Sequence, residues 1–207
     1  MFINYFLNKR MKVVAYLCTI LLFAILALFT LGNTVSADET IPLPKGELPI
    51  IITTAGQSPG AVSISVICRR NKIDNDYLNL ATVEDLKAKE YKTLIVTMGT
   101  SGKGMGAAGI EINDELARIE KLIEEARKQN MLILGFHIEG EARRSGACEQ
   151  SIDLVGPRVD YLVVRSDGNL DGRFDEIAKK NNIPLRIFDE SIELNEILKE
   201  IFLKDEG

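Results

Sequence analysis

Met131-Leu-Ile-Leu-Gly-Phe-His-Ile-Glu-Gly-Glu-Ala-Arg-Arg144 is the stretch of sequence that decides the fold. Its first half is apolar and leads into the only histidine of the chain, His137, whereas its second half is crowded with charge. An apolar run of this length between two polar helical patterns is typical of a strand that is buried on both faces. In open parallel sheets, ligands bind beyond the carboxyl ends of the strands. We therefore expect residues 137–144 to face a ligand site.

Similar runs predict the rest of the sheet. Four apolar or β-branched segments predict strands over residues 48–54, 92–98, 160–164 and 183–188. Helices are predicted from about residue 59 to residue 70, and over residues 113–130, 145–155, 171–181 and 191–203, with one short helical turn at 82–86 in the polar segment 72–89. Strands that alternate with helices indicate a parallel sheet with right-handed crossovers. The prediction is a single three-layer α/β domain with a five-stranded, mainly parallel sheet of flavodoxin-like or Rossmann-like order.

The N-terminal segment predicts export. A basic cluster precedes an apolar run from Val13 to Leu31, and Val35-Ser36-Ala37 supplies the small residues that a signal peptidase accepts. The run is also almost as long as the about 20 residues that span a bilayer. The segment is therefore either a cleaved signal or an uncleaved anchor, and both place the domain outside the cytoplasm. The expected organisation is a signal or anchor over residues 1–37, an extended lead-in over 38–47 and the α/β domain over 48–207.

Charge and cysteine usage restrict the partners. Removing residues 1–37 removes three basic and no acidic side chains, which changes the formal net charge from −5 to −8. A surface this acidic argues against nucleic acid as a partner. Contact with a membrane is expected only through the N-terminal segment. Cys68 and Cys148 lie in apolar helical patterns, where a free buried thiol is common, although export permits a disulfide. With one histidine and no close cysteine pair, no metal site is expected.

Gly56-Gln57-Ser58-Pro59-Gly60 has the G-x-S-x-G spacing of a hydrolase nucleophile elbow. In that elbow the residue after the serine donates its backbone N–H to the oxyanion hole, and Pro59 has no N–H. Loss of one such donor costs on the order of 100-fold to 1000-fold in rate. A hydrolase that pairs Ser58 with His137 is therefore disfavoured. We expect Ser58 to cap the following helix and to contact a ligand.

The glycine-rich segment from Gly99 to Gly109 contains the G-x-G-x-x-G spacing of dinucleotide-binding proteins. The spacing starts six residues beyond the predicted strand, so it does not form the tight turn that such a site requires. Lys103 is followed by Gly104 and not by the Ser or Thr of a phosphate-binding Walker loop. No cofactor is therefore expected. The segment is interpreted as a flexible loop that presents Lys103 and backbone N–H groups to a small anion, with a purely structural loop as the alternative.

The charged residues after the third predicted strand are candidate ligand contacts. Adjacent Arg143 and Arg144 suit fork-like recognition of a carboxylate or phosphate. His137 is either a hydrogen-bonded structural residue or a group that orients a ligand. Residues 167–172 resemble part of a calcium loop but lack its full ligand series.

These features give one leading hypothesis and two alternatives. The leading hypothesis is an extracytoplasmic protein that binds a small anionic ligand through Gly56, Gln57, Ser58, Lys103, Gly104, His137, Glu139, Arg143 and Arg144. One alternative is an enzyme that uses His137 with Glu139 or Asp167 as acid and base on the same site. The other is an accessory subunit of an envelope transport complex.

The motifs also resemble a known family. They are I-I-T-T-A-G-Q-S at 51–58, K-G-M-G-A-A-G-I at 103–110, H-I-E-G-E-A-R-R at 137–144, D-Y-L-V-V-R-S-D-G-N-L-D-G at 160–172 and N-N-I-P-L at 181–185. In combination with the export signal they resemble a family of exported bacterial proteins, mostly from anaerobes, that is classed as a domain of unknown function. The resemblance covers Pro49 to Phe202 and implies a compact α/β fold without an established activity. The family loop often continues Ala-Asp after the serine, and here Pro59-Gly60 stands there, so any role for that acid is absent.

Overall fold

The computed structural model describes residues 42–144 and 146–203. These residues belong to one compact unit. The signal or anchor predicted over residues 1–37 lies outside them. Within the described ranges, no helix is both long and apolar enough to cross a membrane.

The sheet has six parallel strands, in the order β2-β1-β3-β4-β5-β6. They are β1 Ile50–Thr54, β2 Asn75–Tyr77, β3 Thr93–Thr97, β4 Leu132–His137, β5 Tyr161–Arg165 and β6 Leu185–Phe188. The five predicted strands are present, but the count of five is wrong, because β2 was assigned to a polar connecting segment. This strand has only three residues, it is half-buried, and it pairs with β1 alone. A short, polar edge strand of this kind carries no alternating pattern.

Seven α-helices lie in the described ranges. They are α1 Gly60–Arg70, α2 Val83–Ala88, α3 Gly102–Ala108, α4 Ile112–Lys128, α5 Gly146–Val155, α6 Arg173–Asn181 and α7 Ser191–Phe202. Helix α3 corrects the prediction of a flexible glycine loop. Ser101 caps its start by accepting the backbone N–H of Gly104 at 3.1 Å, and Gly109 ends it in the left-handed region at φ 67°. A good cap at each end offsets the low helix propensity of three internal glycines.

Two hydrophobic cores lie on the two faces of the sheet. One is formed with α2, α4, α5 and α6, and it contains Cys148. The other is formed with α1 and α7, and it contains Cys68. Both thiols are buried, as expected for cysteines in apolar helical patterns, and the Cys148 thiol donates to the Met98 carbonyl at 3.0 Å. The arrangement is the predicted three-layer α/β domain.

The strand order reverses between β1 and β3. Helix α1, which follows β1, packs on one face of the sheet, whereas α4, which follows β3, packs on the other face. The two connecting loops therefore separate at the carboxyl edge of the sheet and leave a crevice between them. In doubly wound sheets this topological switch point is where ligands bind.

Candidate functional site

The loops that leave β1 and β3 are clamped together at the switch point. Gln57 and Thr100 form an antiparallel bridge, and the Ser101 N–H donates to the Gly56 carbonyl at 2.8 Å. Gly104 lies directly against the backbone of Gln57, where a side-chain methyl group would overlap the Gln57 carbonyl oxygen. The predicted site residues Gly56, Gln57 and Gly104 are therefore brought together, and they act as the frame of the crevice.

Gln57 adopts an unusual backbone conformation that its side chain stabilises. Its φ is 56°, in the left-handed region that a non-glycine residue adopts only at a cost. The Nε2 group donates to the Asn79 carbonyl at 3.0 Å and to Glu115 Oε1 at 2.8 Å. Oε1 accepts from Asn79 Nδ2 at 3.3 Å. Both amide protons of Gln57 are thus used within the protein, so this side chain braces the loop.

The brace continues into a buried ion pair. Glu115 is fully buried, and Arg118 contacts its two carboxylate oxygens through Nε at 2.8 Å and Nη2 at 2.9 Å. The other guanidinium N–H groups donate to the Thr54 carbonyl, the Ala81 carbonyl and Thr53 Oγ1. All five donors of Arg118 are therefore satisfied. The sequence analysis missed this pair, because an i, i+3 pair of charges on an amphipathic helix normally lies in solvent.

Ser58 does not cap helix α1 as predicted. The cap position is Pro59, which makes no side-chain hydrogen bond to the helix. The Ser58 hydroxyl instead donates to Glu139 Oε2 at 2.5 Å, and Arg143 Nε donates to Glu139 Oε1 at 3.2 Å. The carboxylate of Glu139 therefore links the β1 loop to the short 3₁₀ turn after β4, Gly140–Arg143.

Two glycines make room for this carboxylate. A methyl group on Gly60, in the first turn of α1, would lie 2.8 Å from Glu139 Oε2, and one on Gly99 would lie 2.6 Å from the Ser58 hydroxyl. Glu139 thus stands beside the N-terminus of α1, where a negative charge is favourable. An anion of the protein itself therefore stands at this helix end.

Arg143 and Arg144 have different surroundings. Arg144 is bound to Glu149 through Nε at 2.7 Å and to Asp171 through Nη2 at 2.8 Å, and its guanidinium lies over the ring of Phe174. Arg143 is bound to Glu139 alone, through Nε, and its side chain is 35% exposed against 13% for Arg144. In the described part of the chain, the Nη1 and Nη2 groups of Arg143 have no hydrogen-bond acceptor. Of the two arginines, only Arg143 has donors to spare.

His137 is enclosed in the protein. Its ring is fully buried, with Nε2 at 3.1 Å from the Gly140 carbonyl and its plane stacked on Phe174 of α6 at 5.4 Å between centroids. Burial lowers the pKa of the imidazole below its ordinary value. The ring packs against α6, and Ser58 is bonded to Glu139, so the hydrolase pairing of Ser58 with His137 is not formed.

Asp167 forms an ion pair with Arg165, Nε to Oδ1 at 3.2 Å. Its carboxylate also packs against Gly140, where it occupies the space that a side chain would need. Among residues 42–144 and 146–203, no group of three or more His, Cys, Asp or Glu side chains could hold a metal ion.

A cleft of about 500 Å³ opens above the clamped loops. Its lining residues come from the loops after β1, β2 and β3, from helices α1 and α3, and from the turn after β4: Gln57, Ser58, Pro59, Val62, Tyr77, Asn79, Ser101, Gly104, Ala107, Ala108 and Arg143. The predicted residues Gln57, Ser58, Gly104 and Arg143 thus share one cleft. Lys103 is exposed on α3 and is not part of the lining.

Comparisons with known proteins give a family and only distant structural similarity. No curated protein matches the chain. A GDP-L-fucose synthetase from Naegleria fowleri matches with 8% identity and a TM-score of 0.34, over 74% of this chain and 52% of that one. A GDSL-like lipase from Bacteroides thetaiotaomicron matches with 12% identity and a TM-score of 0.34, over 67% of this chain and 66% of the lipase. An esterase from Pseudoalteromonas matches with 12% identity and a TM-score of 0.28, over 67% and 76%.

The chain thus spans about half the length of the fucose synthetase and just under two thirds of the lipase. Similarity at this level carries no information on activity. The family match is broader, because residues 47–202 fit one family over nearly the whole described domain. The chain belongs to the family described as "Domain of unknown function (DUF6305)".

Proposed function

We propose that this domain is an extracytoplasmic binding module that holds a small anionic ligand in the cleft between the β1 and β3 loops. Three features support the proposal. The cleft lies at the switch point of a doubly wound sheet. Its volume, about 500 Å³, is in the range of small-molecule sites. Among the described residues, Arg143 is the one charged residue in its lining.

The main support for the proposal comes from the Nη groups of Arg143. A guanidinium can bind two carboxylates, one on each side of its fork, and Arg144 does so with Glu149 and Asp171. Arg143 has Glu139 on its Nε side and is otherwise without an acceptor in the described residues. A ligand carboxylate or phosphate on the Nη groups would complete the arrangement that Arg144 already has.

Glu139 is a positioning residue in this proposal. Its carboxylate is held by the Ser58 hydroxyl and fixes the Nε edge of Arg143, so the Nη groups have one preferred direction. It also offsets part of the positive charge, which limits the affinity for an anion. The ligand therefore needs further contacts, and Tyr77, Asn79 and Ser101 are polar residues in the cleft lining.

A thermal-shift experiment with matched variants tests the proposal. The purified protein is screened against carboxylates, phosphates and nucleotides, and a ligand at 100 times its Kd is expected to add about 2.7 kcal/mol of stability. Arg143→Gln should remove the shift because it removes the open fork. Arg70→Gln is the control, since Arg70 is an exposed arginine at the far end of α1.

Two results would contradict the proposal. One is that no anion raises the melting temperature. The other is a shift that Arg143→Gln leaves unchanged. In the second case the anion would bind elsewhere.

A further inference from the structure

We infer that the ligand is a monocarboxylate with an apolar body of several carbon atoms, and not an inorganic or multiply charged anion. The inference rests on the proposed function and names the ligand class for the same cleft. It follows from the distribution of charge and of apolar surface around Arg143.

The charge around the cleft fits one negative group. In the part of the chain that the structure describes, Arg143 is the only cation in the lining, and its Nη groups form a single open fork. Glu139 stands 3.2 Å from Arg143 Nε and would repel a second negative charge that has no cation of its own. Lys103 is the nearest lysine in sequence to the lining residues of α3, but it does not line the cleft. A dicarboxylate or a polyphosphate would therefore leave charge uncompensated.

The apolar surface of the cleft lies on two helices. Pro59 and Val62 form the side given by the start of α1, and Ala107 and Ala108 form the side given by the end of α3. Val62 is 39% exposed, which makes it one of the few large apolar residues of the described chain that face solvent. A ligand body that covers Val62 and the alanines would gain the hydrophobic free energy that these side chains now lack.

Titration calorimetry with a series of linear carboxylates tests this inference. Acetate, butanoate, hexanoate and octanoate are compared with succinate and inorganic phosphate. Full burial of one methylene lowers Kd about fourfold, so partial burial in an open cleft should lower it about two- to fourfold per carbon until the cleft is filled. Succinate should bind more weakly than butanoate, because its second carboxylate has no cation.

Variants locate the effect. Val62→Ser should reduce the gain per methylene across the series. Arg143→Gln should weaken all members of the series. Ile192→Ser is the control for non-specific apolar binding, because Ile192 is 67% exposed on α7 and is not part of the cleft lining.

The outcomes distinguish failure of the inference from failure of the proposed function. Phosphate binding that depends on Arg143, without any gain from chain length, would overturn the inference and leave the proposed function standing. A chain-length gain that survives both Val62→Ser and Arg143→Gln would overturn it as non-specific binding. Absence of binding by every anion would overturn both.

Discussion

Arg143 and Arg144 are adjacent in sequence, yet Arg144 binds two carboxylates and Arg143 binds one. The difference arises because Arg144 lies between α5 and the loop before α6, where Glu149 and Asp171 converge on it. Arg143 lies in the lining of the cleft and meets only Glu139. Arg144 therefore has a structural role, whereas Arg143 is the proposed ligand contact.

The two arginines are expected to differ in their effect on stability. Arg144→Ala removes bonds to two carboxylates and to the Gly168 carbonyl, together with the contact on Phe174, and should cost about 2–3 kcal/mol. Arg143→Ala removes one ion pair of a partly exposed side chain and should cost about 1 kcal/mol or less. Urea denaturation of both variants measures the free energies of unfolding. Equal losses in the free energy of unfolding would show that the two guanidinium groups contribute equally to stability, which would contradict this prediction.

The buried pair of Glu115 and Arg118 should be a sensitive point of the fold. Arg118→Ala leaves the fully buried Glu115 carboxylate without its cation, and such a loss costs about 3–5 kcal/mol. The control is Lys199→Ala, which breaks a surface pair with Glu196 and should have a far smaller effect on stability. Chemical denaturation compares the two. A loss of under 1 kcal/mol for Arg118→Ala would mean that Glu115 is not isolated from solvent.

Two glycines of α3 should respond to the same substitution with opposite signs. Gly104→Ala forces a methyl group against the Gln57 carbonyl and should destabilise the protein by about 1–3 kcal/mol. Gly106→Ala meets no neighbouring atom within 4 Å and should stabilise the protein by about 0.5–1 kcal/mol, because alanine is the better helix former. Thermal melting of both variants checks this. A stable Gly104→Ala would mean that the clamp between the two loops is loose.

His137 should make stability depend on pH. Burial lowers its pKa in the folded state, so below the unfolded value of about 6.5 the unfolded chain binds a proton that the folded chain does not. Stability is therefore full above pH 6.5 and declines as the pH falls below it. Denaturation of the wild type and of His137→Gln at pH 7.5 and pH 5.5 tests this. The loss between the two pH values should be smaller in the variant, and an equal loss would assign the pH dependence to other groups.

The sequence predicted the elements that are set by apolar patterning. The ends of the predicted strands agree with β1, β3, β4, β5 and β6 to within two residues, because a strand that is buried on both faces needs a continuous apolar run. It failed for β2, which is short and polar. It also failed for α3, where caps outweigh glycine content. Both are cases in which local pairing and capping decide the structure without a periodic signal.

The positions of the candidate site residues were easier to predict than their contacts. The carboxyl edge of the sheet does bring Gln57, Ser58, Gly104 and Arg143 into one cleft. The partners of individual side chains could not be predicted, since Ser58 with Glu139 and Gln57 with Glu115 are separated by 81 and 58 residues. His137 faces the helix α6 side of the sheet, and no feature of the sequence distinguishes that orientation from one toward the cleft.

We propose that an anion binds at Arg143. A separate groove that is lined by several cations provides a comparison with simple attraction by positive charge. That groove, about 590 Å³, is lined in part by Arg127, Lys128 and Arg158, but Arg127 is already paired with Asp160 and Arg158 with Glu120. It contains more cations than the cleft, so a simple attraction of charge would favour it.

The most direct measurement is a ¹H–¹⁵N NMR titration of the purified protein with hexanoate. We expect shift changes to concentrate at the backbone amides of residues 57–62 and 101–108 and at the Nε–H of Arg143, and we expect the backbone changes to disappear in Arg143→Gln. Shifts that centre on Arg127 and Lys128, or an unchanged spectrum at saturating hexanoate, would contradict the proposal.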